Sequence, residues 1–140
     1  MRQMKYQEGY KYKLVEEEAI FTPFCPPKDI RTELIDFLKA GDGGVLIVRK
    51  HYAWDGASGP TIDTKNSMTP SLMHDAMYQL MREGHLDPKE YKEPADKLLQ
   101  TMCQDRGMSP LRAWGWYRSL YRWGGSSTLP ENEKPVLTAP

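Results

Sequence analysis

Along the first fifty residues, short apolar runs are separated by polar segments, and the first run shows a weak two-residue alternation typical of a β-strand. Pro23 follows the second of four short runs, which predicts an edge strand or a loop there. Asp42-Gly43 separates the last two runs and favours a hairpin, because such turns need positive φ. We predict a β-rich segment over residues 10–50, with residues 45–48 as its most buried strand. The four runs are 10–15, 19–21, 33–38 and 45–49.

In the second half of the chain, apolar residues recur every three or four positions, the period of an amphipathic helix. Each periodic segment begins at a proline, which suits the first helical position, and a glycine follows each one. We predict helices over residues 70–82, 88–106 and 110–123, and a connecting loop over residues 51–69.

Strands followed by helices predict an α+β fold, in which a small antiparallel sheet packs on the three helices. A chain of 140 residues is long enough for one hydrophobic core, so we expect a single domain over residues 1–125. Residues 126–140 are rich in Ser, Thr, Pro and Glu without periodicity, which predicts an extended tail.

The chain carries 19 basic and 19 acidic residues, which argues against nucleic-acid binding through a broad basic field. Its apolar runs fall short of the roughly 20 residues that span a bilayer, and the N-terminal residues lack the apolar stretch of a signal peptide. We therefore expect synthesis in the cytoplasm, no transmembrane segment and no nucleic-acid partner. Cys25 and Cys103 lack zinc or disulfide spacing, and Cys103 lies among apolar residues typical of a core.

Candidate chemistry concentrates on the first predicted helix and the one that follows it. His74 and Tyr78 lie one turn apart and share a helix face, whereas Asp75 points to the adjacent sector. Asp96 lies on the second helix, which a short loop would place beside the first. We therefore predict that the His74 imidazole and the Asp96 carboxyl group meet between these two helices.

Two interpretations of this group remain open. In the first, His74 is a general base, Asp96 and Tyr78 orient it, and Asp75 with Asp55 holds a divalent cation such as calcium. In the second, the same side chains form a satisfied hydrogen-bond network that stabilises the fold or is the relic of a site.

The loop before the first helix adds candidate substrate contacts. Trp54 and Ser58 lie in a stretch rich in small residues that also carries Asp55. A catalytic triad of Ser58, His74 and Asp75 is disfavoured, because two adjacent residues of one helix cannot easily place the carboxylate behind the imidazole. A two-metal phosphohydrolase is a further alternative, with the ligand series His51, His74, Asp75 and Asp96.

The pattern His-Asp-x-x-Tyr with a later aspartate resembles the helix pair of secreted phospholipases of the A-two type. The resemblance implies that His74 activates water and that Asp75 binds calcium with a preceding glycine-rich loop. It also implies that Asp96 and Tyr78 orient the histidine. With two cysteines, the chain lacks the disulfide cage typical of that family.

A longer resemblance covers residues 45–125. Four segments are similar, in order and spacing, to a family of tailed bacteriophages and prophages catalogued as domain of unknown function thirteen fifty-three. The segments are 52–60, 71–80, 95–99 and 112–117. The family pattern is an Asp-x-x-Ser loop, a His-Asp-x-x-Tyr helix and an Ala-Asp helix, which correspond here to Asp55, Ser58, His74, Asp75, Tyr78, Ala95 and Asp96.

This second resemblance implies a phage origin, with other phage proteins as partners, synthesis in the host cytoplasm and the virion as a destination. The resulting expectation is a bacteriophage virion-associated or accessory protein. The alternative expectation is a metal-dependent, phospholipase-like hydrolase of esters or phosphoesters that acts on the host cell envelope.

Overall fold

The computed structural model of the chain describes residues 6–7, 12–54 and 68–123, with side chains for residues 12–54, 69–115, 117 and 118. Strands precede helices in the order of elements, which confirms the α+β class. The described strands and the described helices belong to two different compact units. The predicted tail, residues 126–140, lies outside the described residues.

The strand unit contains two antiparallel sheets in the part of the chain that the structure describes. One sheet has the order β1-β2-β7, with β1 at Tyr6–Gln7, β2 at Tyr12–Leu14 and β7 at Ala53–Trp54. The other has the order β3-β6-β5-β4, and its strands are β3 (Glu18–Thr22), β4 (Ile30–Arg31), β5 (Ile35–Ala40) and β6 (Gly43–Val48).

The hairpin between β5 and β6 is present, but its turn differs from the prediction. Ala40 pairs with Gly43, so the turn consists of Gly41 and Asp42 and not of the dipeptide Asp42-Gly43. Gly41 has a φ of 61°, the sign that a type II′ turn requires at its first central residue. Gly43 serves packing instead, because a Cβ atom there would overlap the backbone oxygen of Thr22 in β3.

Burial alternates along β3 and β6, as expected when one face is covered, whereas three consecutive residues of β5, Ile35–Phe37, are buried. In β6, Leu46 and Val48 are fully buried, whereas Val45 and Ile47 are half-buried. Residues 45–48, predicted as the most buried strand, are thus buried at alternate positions, and their strand pairs with β3 on one side and β5 on the other. β3 is an edge strand, as predicted, and exposes the Phe21 side chain.

In its described part, the predicted loop over residues 51–69 contains the strand β7. β7 pairs with β2 through Trp54 and Tyr12, and the Trp54 ring packs against the rings of Tyr12 and Tyr52. A strand of two residues carries no periodic signal, so the hydrophobic pattern could not reveal it.

The three predicted helices are confirmed as α1 (Met68–Arg82), α2 (Pro88–Asp105) and α3 (Pro110–Trp123). α1 begins at Met68, two residues before the predicted start at Pro70. The first turn of the helix tolerates this proline, because the backbone N–H groups of a first turn have no helical hydrogen-bond partner. Asp87 caps α2 by accepting a hydrogen bond from the Lys89 N–H at 3.0 Å. None of the described helices has the length and apolar character needed to cross a membrane.

In the helical unit, α1 packs against α2 and α2 packs against α3. Helical periodicity predicts an apolar stripe of Tyr91, Ala95, Leu98 and Met102 along α2, but the structure buries Leu99 and leaves Leu98 half-buried. Cys103 is fully buried as predicted, and burial raises the pKa of its thiol to about 12. The apolar face of α1 is completely buried and comprises Leu72, Met73, Ala76, Met77 and Leu80.

Candidate functional site

His74 on α1 and Asp96 on α2 meet between the two helices, as the sequence predicts. The Nε2 atom of His74 lies 2.6 Å from Oδ1 of Asp96, and their side chains are 6% and 1% exposed. Both residues lie beside fully buried apolar neighbours, Met73 on α1 and Ala95 on α2. The packing of the apolar faces therefore brings the two polar groups together.

Tyr78 binds the same carboxylate oxygen from one turn further along α1. Its hydroxyl group donates a hydrogen bond to Oδ1 of Asp96 at 2.6 Å, and its ring centroid lies 4.0 Å from that of His74. Burial, followed by the negative charge of Asp96, raises the pKa of Tyr78 above its ordinary value. Tyr78 therefore remains a protonated hydrogen-bond donor.

Lys92 completes the group from the helix that carries Asp96. Its Nζ atom donates to Oδ2 of Asp96 at 2.8 Å, across one turn of α2, and its side chain is 19% exposed. The sequence analysis did not single out this residue. The signal was present, because a lysine four positions before an aspartate on a helix is within reach of it.

Asp96 is held in its ionised form. Burial alone would raise the pKa of this carboxyl group, but the hydrogen bonds from His74, Lys92 and Tyr78 outweigh burial and lower it. An ionised carboxylate only accepts hydrogen bonds, so Nε2 of His74 must donate the one that joins them. In the neutral imidazole, the basic lone pair is then at Nδ1.

This arrangement has the parts of a general-base centre. A carboxylate that binds one ring nitrogen fixes the tautomer and the orientation of an imidazole, and it stabilises the positive charge that a proton on the other nitrogen creates. We name the four residues the Asp96 cluster: His74, Tyr78, Lys92 and Asp96.

Asp75 lies beside the Asp96 cluster and is half-buried. The negative charge of Asp75 also raises the pKa of Tyr78, although burial and the contact with Asp96 contribute more. A calcium site shared by Asp75 and Asp55 stays a prediction, because Asp55 lies outside the described residues.

The described residues do not supply a metal site on their own. Over residues 12–54 and 68–115, no three His, Cys, Asp or Glu side chains form a group that could hold a metal ion. The two-metal series of His51, His74, Asp75 and Asp96 stays a prediction, because His51 belongs to the strand unit and the other three residues belong to the helical unit.

The remaining predicted site residues come from the loop before α1. Ser58 lies outside the described residues, so its assignment as a substrate contact stays a prediction. Trp54 belongs to the strand unit, where it is buried against Tyr12 and Tyr52. Its role in binding a substrate also stays a prediction.

A second buried carboxylate occurs in the strand unit. Asp36 accepts a hydrogen bond at 3.0 Å from Nη1 of Arg49, whose Nη2 atom also binds it, and Arg31 approaches it at 3.7 Å. The same Nη1 atom donates to the backbone oxygen of Thr32. This ion pair connects Asp36 of β5 to Arg49, the residue that follows β6, and so stabilises one sheet.

Comparison with known proteins supplies no relative from which a role could be transferred. No protein-family model, no curated protein and no solved structure matches the chain. The similarities to a bacteriophage family and to phospholipases therefore stay predictions. The functional inference depends on the geometry of the Asp96 cluster.

Proposed function

We propose that α1 and α2 together form a general-base centre that hydrolyses an ester or phosphoester bond. In this proposal His74 is the base, Asp96 fixes its ring, and Tyr78 and Lys92 hold Asp96 in place. The observation that carries the proposal is the 2.6 Å contact between Nε2 of His74 and Oδ1 of Asp96. It engages one ring nitrogen and leaves the lone pair of the other for proton transfer.

The proposed reaction begins with a water molecule next to Nδ1 of His74. Nδ1 takes a proton from the water as its oxygen attacks the carbonyl carbon or the phosphorus atom. Asp96 stabilises the imidazolium that forms, and the imidazolium then returns the proton to the departing alkoxide. Asp75 and Asp55 would hold the predicted calcium ion, which would add oxyanion stabilisation when bound, and the proton transfers do not depend on it.

The proposal is tested by assaying the full chain against p-nitrophenyl butyrate and bis(p-nitrophenyl) phosphate, with and without calcium. The test variant is His74→Gln, and the matched control is His85→Gln, because His85 is an exposed histidine in the loop after α1. We expect the control to keep the wild-type rate and the test variant to lose about 10²–10⁴-fold in kcat. Circular dichroism verifies that both variants fold.

Two results would overturn the proposal. One is that the wild-type chain hydrolyses none of these compounds faster than buffer. The other is that folded His74→Gln retains the wild-type rate.

A second candidate is that the chain is a bacteriophage virion-associated or accessory protein, in which the Asp96 cluster stabilises the helix pair. The completeness of the network favours it, because both oxygens of Asp96 receive hydrogen bonds from the protein itself. This candidate predicts an inactive wild-type chain and a His74→Gln variant that is about 2 kcal/mol less stable. The same set of variants therefore distinguishes the two functions.

A further inference from the structure

α3 presents a row of large side chains to solvent. Leu111 is 77% exposed and Trp114 is 51% exposed, and Arg118 is also exposed. Spacings of three and four residues place these side chains on one face of the helix. Gly115 lies beside them, and among the described residues a Cβ atom built there meets nothing within 4 Å beyond its chain neighbours and the backbone of its own helix. We call these four residues the α3 stripe.

The opposite side of α3 fixes this orientation. Ala113 is fully buried, and Tyr117 is half-buried with Lys97 of α2 lying 5.8 Å above its ring. Helical periodicity predicts that Leu111, Trp114 and Tyr117 share one face of α3. The structure exposes Leu111 and Trp114, because the side of α3 that carries Ala113 is the buried one.

Arg118 and Trp114 form a pair within the stripe. The guanidinium group lies 5.6 Å from the centroid of the indole ring, within the range of a cation–π contact. The pair therefore presents a flat aromatic surface and a positive charge to the same region of solvent. An interfacial helix has this combination where it contacts both acyl chains and headgroups.

The charge of this region has one sign. Residues 106–130 include four arginines and contain neither Asp nor Glu, although the whole chain carries equal numbers of basic and acidic residues. All the charged residues of α3 are arginines, namely Arg112, Arg118 and Arg122. The charge complement of the stripe is therefore an anionic surface.

We propose that the α3 stripe binds the surface of an anionic phospholipid membrane. Leu111 and Trp114 would enter the boundary between headgroups and acyl chains, where tryptophan is favoured, and Arg118 would pair with lipid phosphates. A membrane accommodates a straight row of apolar and cationic side chains without a shaped pocket. This inference concerns attachment and does not depend on the proposed hydrolysis.

The test measures cosedimentation of the full chain with vesicles of equal parts phosphatidylcholine and phosphatidylglycerol, at low ionic strength. Gly115 offers a matched pair of variants, because Ala and Glu both fit an open helical position. We expect Gly115→Ala to bind as the wild type does and Gly115→Glu to bind about fivefold more weakly, as one unfavourable charge predicts. Arg118→Gln is expected to lose a similar factor.

Three further variants separate binding by the stripe from general hydrophobicity and from catalysis. Trp114→Ala is expected to weaken binding at least as much as Arg118→Gln, whereas Phe21→Ser, which removes an exposed aromatic ring from β3, leaves binding unchanged. His74→Gln is expected to bind normally, so a failure of the proposed hydrolysis does not affect this result.

Three outcomes would overturn the proposal. The wild type could bind pure phosphatidylcholine vesicles as tightly as the anionic ones. Gly115→Glu could bind as tightly as Gly115→Ala. The wild type could ignore the anionic vesicles and bind polyglutamate, which would assign the stripe to an acidic protein.

Discussion

At the scale of single residues, Asp96 organises the candidate site. It accepts hydrogen bonds from His74 and Tyr78 on α1 and from Lys92 on its own helix, while remaining almost completely buried. A buried carboxylate without such donors would be strongly destabilising. The donors therefore explain how the fold keeps a negative charge beside an imidazole.

Replacing Asp96 by Asn removes this charge while retaining the shape of the side chain. We expect Asp96→Asn to lower the free energy of unfolding at neutral pH by about 3 kcal/mol, because His74 and Lys92 lose a buried ionised partner. Unfolding in urea, followed by circular dichroism, measures the difference.

The loss of stability caused by Asp96→Asn depends on pH. The pKa of Asp96 is lower in the folded chain than in the unfolded one, so its stabilisation is complete above the ordinary carboxyl pKa of about 4 and declines as the pH falls below it. The stability gap between wild type and Asp96→Asn should therefore narrow in acid. Asp105→Asn, at the exposed end of α2, is the control and should change stability by less than about 0.5 kcal/mol. A gap that stays constant from neutral to acidic pH would contradict this account.

At the scale of elements, the helices could be predicted more closely than the strands. Proline at helix starts and glycine after helix ends are local signals, and Gly107, with a φ of 98°, follows α2 as the prediction required. β7 has two residues and no local signal. The turn of the β5–β6 hairpin depends on the close approach of Gly43 to β3, a contact between distant parts of the chain.

Pro94 lies inside α2, where a proline is ordinarily destabilising. It is exposed and lies between Lys92 and Asp96, and it cannot donate the helical hydrogen bond that its position would supply. We expect Pro94→Ala to raise the free energy of unfolding by about 2 kcal/mol, as measured by urea unfolding.

The control for this prediction is another exposed proline in a helix. Pro110 begins α3, where no helical hydrogen bond is lost, so Pro110→Ala should change stability little. A Pro94→Ala variant that is less stable than the wild type would show that α2 depends on the proline.

At the scale of the whole molecule, the balanced net charge conceals a local difference in charge. Equal numbers of basic and acidic residues argue against a broad basic field, yet residues 106–130 carry four arginines and no acidic residue. The sequence predicted the contact of His74 with Asp96 because both lie on regular helices joined by a short loop. Exposure of Trp114 and the burial of Leu99 in place of Leu98 depend on how helices rotate against each other, which periodicity fixes only coarsely.

The central claim is that Asp96 holds the His74 ring through Nε2 and leaves Nδ1 as the base. The most direct test is a long-range proton–nitrogen correlation spectrum of the isotope-labelled chain, recorded at a pH at which imidazole groups are neutral. We predict that His74 carries its proton on Nε2 and has an unprotonated Nδ1. A spectrum with the proton on Nδ1 and a bare Nε2 would contradict the account.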